Sequence, residues 1–151
     1  MAATRNIFES HYDYKMDPKY RVSIPVAFRP QKDDEAVRLQ ISKEHEQLAV
    51  IKVFSLAAFA DKFRQIADAD LPQAKKNQLE GALRMLSREA SINSQGKLTV
   101  PKEWAERIGL KADGPVKLAG RGKYFIMCTD ETFNRLAELD FNMGDAGLGV
   151  L

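Results

Sequence analysis

The residues best placed to do chemistry are cations on two matching turns. The segment Asp17-Pro18-Lys19-Tyr20-Arg21-Val22-Ser23-Ile24-Pro25 overlays Asn93-Ser94-Gln95-Gly96-Lys97-Leu98-Thr99-Val100-Pro101. Each copy opens on Asp or Asn, places Arg21 or Lys97 at its fifth position, alternates apolar and hydroxyl residues, and ends at proline. An arginine on such a turn offers a planar fork that fits the O6 and N7 of a guanine, and a lysine offers a point charge for phosphate. Arg21 is therefore the candidate for base recognition, with Lys19 as its phosphate-positioning neighbour and Lys97 in support. Lys15, on an extended segment before the first turn, is a candidate phosphate contact. Tyr20 could stack on a base or sugar, although a hydrophobic plug against its own loop is the plainer reading. Asp17 and Asn93 read as turn-makers, because their side chains bond the backbone two residues on.

Other chemistry is poorly served. Cys128 ends an apolar run and reads as a small buried hydrophobe rather than a nucleophile. His11 and His45 lie in polar stretches with no orienting carboxylate at a persuasive spacing. Together these three residues are too few for a structural zinc site. There is no glycine-rich phosphate loop and no G-x-S-x-G elbow. The expectation is a chain that is not an enzyme, with no cofactor, metal or small-molecule substrate.

The elements that must hold the turns in place follow from periodicity. After each turn, Val22 and Ile24, or Leu98 and Val100, point to one face of a strand while Ser23 and Thr99 point to the other. Pro25 and Pro101 stop strand pairing, and Pro101 suits the first turn of a helix bearing Trp104 and Ile108, closed by Gly109. Ala36 to Ile41, Leu48 to Phe54, Val116 to Ala119 and Tyr124 to Cys128 read as further strands. Ser55 caps a helix with Phe59, Phe63 and Ile66 on one face. Asp70-Leu71-Pro72 breaks it and starts another, in which Leu79, Leu83 and Leu86 form a stripe opposed by Lys75, Lys76 and Arg84. A third helix starts at Thr129, with Glu131 in its first turn and Phe133, Leu136 and Ala137 on one face. From Asn142 the chain is glycine-rich and reads as a mobile tail. Asp33-Asp34-Glu35 reads as a solvated loop. Each repeat has about three short strands and little core, so the halves should interlock into one pseudo-symmetric barrel.

A tandem pair of such motifs separated by helices resembles the MraZ family, which is built from two SpoVT-AbrB-type swapped-hairpin halves. The resemblance extends to Phe8, to Arg84-Met85-Leu86-Ser87-Arg88-Glu89-Ala90 leading into the second motif, and to Gly120-Arg121-Gly122-Lys123-Tyr124-Phe125-Ile126 followed by Phe133. It spans residues 7 to 139. The chain departs at Tyr20, where the family usually has glycine, at Lys97, where arginine is more usual, and at Cys128, where tryptophan is frequent. A glycine at the position of Tyr20 supplies a positive φ that tyrosine reaches only with strain. The turn is thus expected either to be a type I variant that accepts any residue or to be locally reshaped. The implied fold is mainly β with α+β character: a pseudo-two-fold swapped-hairpin β-barrel with added helices. Residues 7–54 would form the first half, 55–83 a helical connector, 84–139 the second half and 140–151 a flexible tail. The implied function is sequence-specific binding of double-stranded DNA repeats upstream of the division and cell-wall gene cluster by a ring-shaped homo-oligomer. The alternative is a protein-interaction module, antitoxin-like or an oligomeric scaffold, with secondary DNA affinity.

Composition bounds these readings. The chain has 151 residues, 44% hydrophobic and 29% charged, enough for one soluble domain with a buried core. A net charge of +2 and a pI near 8.6 permit a nucleic-acid partner without arguing for one. No run approaches the ~18–20 apolar residues of a membrane span, and no charged-then-apolar leader opens the chain. The expected location is cytoplasmic, associated with the nucleoid, and not at a membrane.

Overall fold

The computed structural model describes residues 7–32, 35–144 and 147–151, so Asp33 and Asp34 of the acidic run lie outside the described residues. The elements in chain order are β1 (His11–Lys15), β2 (Arg21–Ser23), β3 (Ala36–Lys43), β4 (Ala49–Ser55), α1 (Leu56–Asp68), α2 (Gln73–Met85), β5 (Ser87–Ser91), β6 (Lys97–Thr99), α3 (Lys102–Arg107), β7 (Pro115–Gly120), β8 (Phe125–Cys128) and α4 (Asp130–Phe141). The molecule is α+β. Its main sheet has the antiparallel order β1-β7-β8-β4-β3-β5, and β2 pairs with β6 in a separate two-stranded ribbon.

That order reads the same from both ends once β1 is matched with β5, β7 with β3 and β8 with β4. Each half contributes a hairpin, β3–β4 or β7–β8, and the two hairpins meet at the centre through Lys52 opposite Ile126. The edge strands are exchanged. β1 of the first half pairs with β7 of the second, and β5 of the second pairs with β3 of the first. The small ribbon repeats the exchange, with Val22 opposite Leu98 at its midpoint.

Burial ties the ribbon to the main sheet. Val22, Ile24, Leu98 and Val100 turn the apolar face of the ribbon onto Leu39, Ile51, Leu118, Phe125 and Met127 of the main sheet. Full burial of each such side chain contributes about 1.5–3 kcal/mol, and each half supplies only one ribbon strand and one hairpin of the sheet, so both layers are complete only when the two halves are together. The outer side of β4 and β8 is covered separately: Val50, Ile126 and Cys128 pack with Leu136 and Phe133 of α4. Phe28 stacks on Phe125 at 4.7 Å between ring centres, and Phe8 packs against both rings. The approach of Phe8 is close enough that a Cβ on Gly120 would lie 2.3 Å from its backbone.

The helix caps fall where the sequence places them: Ser55 Oγ accepts from the Ala58 N–H at 3.1 Å, and Thr129 Oγ1 from the Thr132 N–H at 3.1 Å. One expectation needs correction: β1 and β5 give each half a fourth strand. The Leu79/Leu83/Leu86 stripe is left largely uncovered, because α2 buries no residue and Leu79 and Leu86 are exposed. Of the α4 face, Leu136 is buried and Phe133 half-buried, while Ala137 is exposed.

Candidate nucleic-acid interface

Both turns are built on the same hydrogen-bond frame. In the first, Asp17 Oδ1 accepts from the backbone N–H of Lys19 and of Arg21, each at 2.8 Å. In the second, Asn93 Oδ1 accepts from Gln95 at 2.9 Å and Lys97 at 3.0 Å. The Tyr20 N–H donates to the Asp17 carbonyl and the Gly96 N–H to the Asn93 carbonyl. Each turn is then tied to the opposite half: Val100 N–H donates to the Tyr20 carbonyl and Ile24 N–H to the Gly96 carbonyl, both at 2.8 Å. Asp17 and Asn93 are turn-makers, and the side-chain oxygen is the shared part.

Neither expectation for the backbone of the turn at Tyr20 holds. The turn is not a variant that avoids positive φ, and it is not reshaped. Tyr20 adopts φ 61°, the left-handed conformation that Gly96 adopts at φ 77°. For a non-glycine residue this costs roughly 1–2 kcal/mol. The ring is half-buried against the main core and faces Lys102 Nζ at 6.0 Å, so packing offsets the strain.

The ribbon brings the cations of the two turns together. Since Val22 and Leu98 point inward, Arg21 and Ser23 of β2 and Lys97 and Thr99 of β6 share its outward face, with Arg21 opposite Thr99 and Ser23 opposite Lys97. Arg21 is held: its Nε donates to Asp17 Oδ2 at 2.8 Å, leaving the two Nη groups without a hydrogen bond among the described residues. The backbone N–H of Arg21 keeps the Asp17 carboxyl below the usual carboxylate range; partial desolvation opposes this, and the Arg21 side chain and Lys19 N–H reinforce it. Asp17 therefore stays ionised and fixes the orientation of the guanidinium. Lys19 is exposed on the tip of the turn. Lys15 is exposed at the end of β1, opposite Pro115, on the main sheet rather than the ribbon.

Two cations beside the turns escaped the sequence reading. Arg29, just after the short helical turn Val26–Phe28, lays its guanidinium against Gly96 of the second turn. Lys102, at the start of α3, stands over the Tyr20 ring of the first. Neither has a cation as its counterpart in the other repeat, so the internal symmetry that exposed Arg21 and Lys97 carried no signal for them. Cys128 is buried beneath α4, and that burial pushes its thiol up to about 12, which keeps it protonated. Among the described residues, no helix is long and apolar enough to cross a membrane.

No protein-family model matches the chain. Two curated relatives do, each named Transcriptional regulator MraZ, from Dehalococcoides mccartyi strains BAV1 and 195. Each is 24% identical over 127 residues, covering 84% of this chain and 85% of the relative. The chain is MraZ-like along most of its length. The paired turns are what this MraZ-like chain presents on one exposed face.

Proposed function

We propose that the chain is a transcriptional regulator that binds double-stranded DNA sequence-specifically through its two turn loops. The observation that carries the reading is the pairing of β2 with β6. It sets two turns of the same hydrogen-bond frame at the two ends of one short ribbon and turns Arg21 and Lys97 to the same outward face. Arg21, anchored by Asp17, is the base-reading residue; Lys19 and Lys97 meet phosphate, Lys15 flanks them, and Tyr20 props the first loop. The names of the MraZ relatives support the regulatory role.

The exchanged edge strands support reading residues 7–54 and 84–139 as the two halves of a swapped-hairpin β-barrel, with 55–83 as the helical connector and 140–151 as the tail. One copy offers few contacts, so affinity comes from several copies bound at once in a homo-oligomeric ring. Leu56, Leu71 and Leu79 of the connector, with Met85 and Leu86 just beyond it, leave exposed apolar surface for such contacts. The DNA is the upstream region of the division and cell-wall gene cluster, which places the protein in the cytoplasm on the nucleoid.

Fluorescence anisotropy with the duplex immediately upstream of the chain's own coding sequence, beside a scrambled duplex at several salt concentrations, tests this. Tight binding confined to the upstream duplex and weakening with salt is expected. Equal, weak binding to both would leave the loops without a reading role and favour the protein-interaction alternative.

A further inference from the structure

The two turns differ in charge as well as in sequence. The first carries its own anion, because Asp17 pairs with Arg21. The second has the neutral Asn93 in that place, so Lys97 lacks the carboxylate that holds Arg21. A second cation also reaches this turn from the other half of the chain. Arg29 Nε donates to the Ile24 carbonyl at 2.7 Å, and Ile24 in turn donates its N–H to the Gly96 carbonyl. The guanidinium is thereby laid over Gly96, so closely that a Cβ on that residue would lie 2.3 Å from Arg29 Cζ and 2.4 Å from Nη2. Gly96 is buried under it, while Arg29 itself is exposed. Among the described residues, no carboxylate forms an ion pair with Arg29 and neither of its Nη groups donates a hydrogen bond.

We propose that Arg29 is the DNA-contacting arginine of the second turn, supplied by the first half of the chain to a loop whose own cation is Lys97. The inference rests on the DNA-binding reading above and deepens it. In the first turn, Asp17 positions the fork of Arg21 from within the same loop. In the second, the Ile24 carbonyl and the flat surface of Gly96 position the fork of Arg29 from across the ribbon. Glycine at position 96 then has two reasons: its positive φ, and the space the guanidinium fills. A planar, delocalised cation held by Nε with its Nη edge free suits bidentate contact to guanine or phosphate in a way that Lys97 does not. The two loops would read different positions of the DNA.

The test is selection from a randomised duplex pool by the full-length wild type, R21A, R29A and R29K. Anisotropy on the wild-type-selected duplex and a thermal melt of each protein accompany it. R29A is expected to bind that duplex about tenfold or more weakly and to lose preference at one position while keeping the position lost by R21A. R29K should keep the salt dependence of binding and lose the same base preference. Melting temperatures should fall by no more than about 4 °C. Wild-type affinity and an unchanged motif for R29A, with R21A impaired, would reduce Arg29 to a cover for Gly96. A uniform loss of affinity across sequences, accompanied by a large melting decrease in R29A and R29K alike, would do the same. No enriched motif for the wild type would overturn the DNA reading itself, and this inference with it.

Discussion

Replacing Tyr20 by glycine separates backbone strain from side-chain packing at the first turn. Tyr20 holds φ 61° where its counterpart is Gly96 at φ 77°, so glycine removes a left-handed penalty of roughly 1–2 kcal/mol. Two losses oppose that gain. The added freedom of the unfolded chain costs about 0.4–1 kcal/mol. The half-buried ring, packed against the core and beneath Lys102, removes on the order of 100 Å² of surface from water, or about 2.5 kcal/mol. Y20G should therefore be less stable than the wild type by about 1–2 kcal/mol, a melting decrease of roughly 2–8 °C for a chain of this size. Y20A keeps the strain and loses the ring, so it should fall about 1 kcal/mol below Y20G. Urea unfolding of the three proteins in one buffer reads the order directly. If Y20G equals or exceeds the wild type, ring packing is not what sustains the strained turn. If Y20G instead falls about 0.4–1 kcal/mol below Y20A, the positive φ carries no cost.

Acidification should separate the turns. Because the Asp17 carboxyl lies below its usual value of 3.8, its stabilising contribution is fully present above that value and is lost as the pH falls through the lowered one. In amide NMR spectra the Lys19 and Arg21 N–H signals should move over that range while those of Gln95 and Lys97, bonded to the non-titrating Asn93, hold still; equal movement in both turns would refute the assignment. Glu44 is nearly buried, lies 2.9 Å from the Tyr124 hydroxyl through both oxygens, and stands 3.8 Å from Lys52 and 4.0 Å from Arg121. E44A strands these partners and should cost about 2–4 kcal/mol by denaturant unfolding, with E44Q costing less. S55A removes the cap of α1 and should cost about 1 kcal/mol by the same measurement, with no effect on DNA binding.

What was legible in the sequence was whatever the repeat wrote twice or the side-chain pattern marked. Asp17 and Asn93 announce the turns, Val22/Ile24 and Leu98/Val100 announce the ribbon, and Ser55 and Thr129 announce two helices. β5 was hidden because Ser-Arg-Glu-Ala-Ser has no apolar alternation; it is a strand because β3 supplies its partner groups, a tertiary cause invisible in a local window. The α2 stripe is legible as a face, but periodicity does not say what covers it. Steric preference argues against a positive φ at Tyr20, and the core beneath its ring overrides that preference. Arg29 and Lys102 reach the turns only through folding, so their place beside Gly96 and Tyr20 could be seen only in three dimensions.

The most direct test of the paired-turn account is the affinity of R21A for the duplex immediately upstream of the chain's own coding sequence, measured by anisotropy beside the wild type. Arg21 is half-exposed, and its hydrogen bonds to Asp17 are local to the turn, so the variant should fold. The account predicts a loss of about 1–3 kcal/mol, roughly 5- to 150-fold, for each engaged contact, and less discrimination against the scrambled duplex. Unchanged affinity and discrimination in a folded R21A would contradict it.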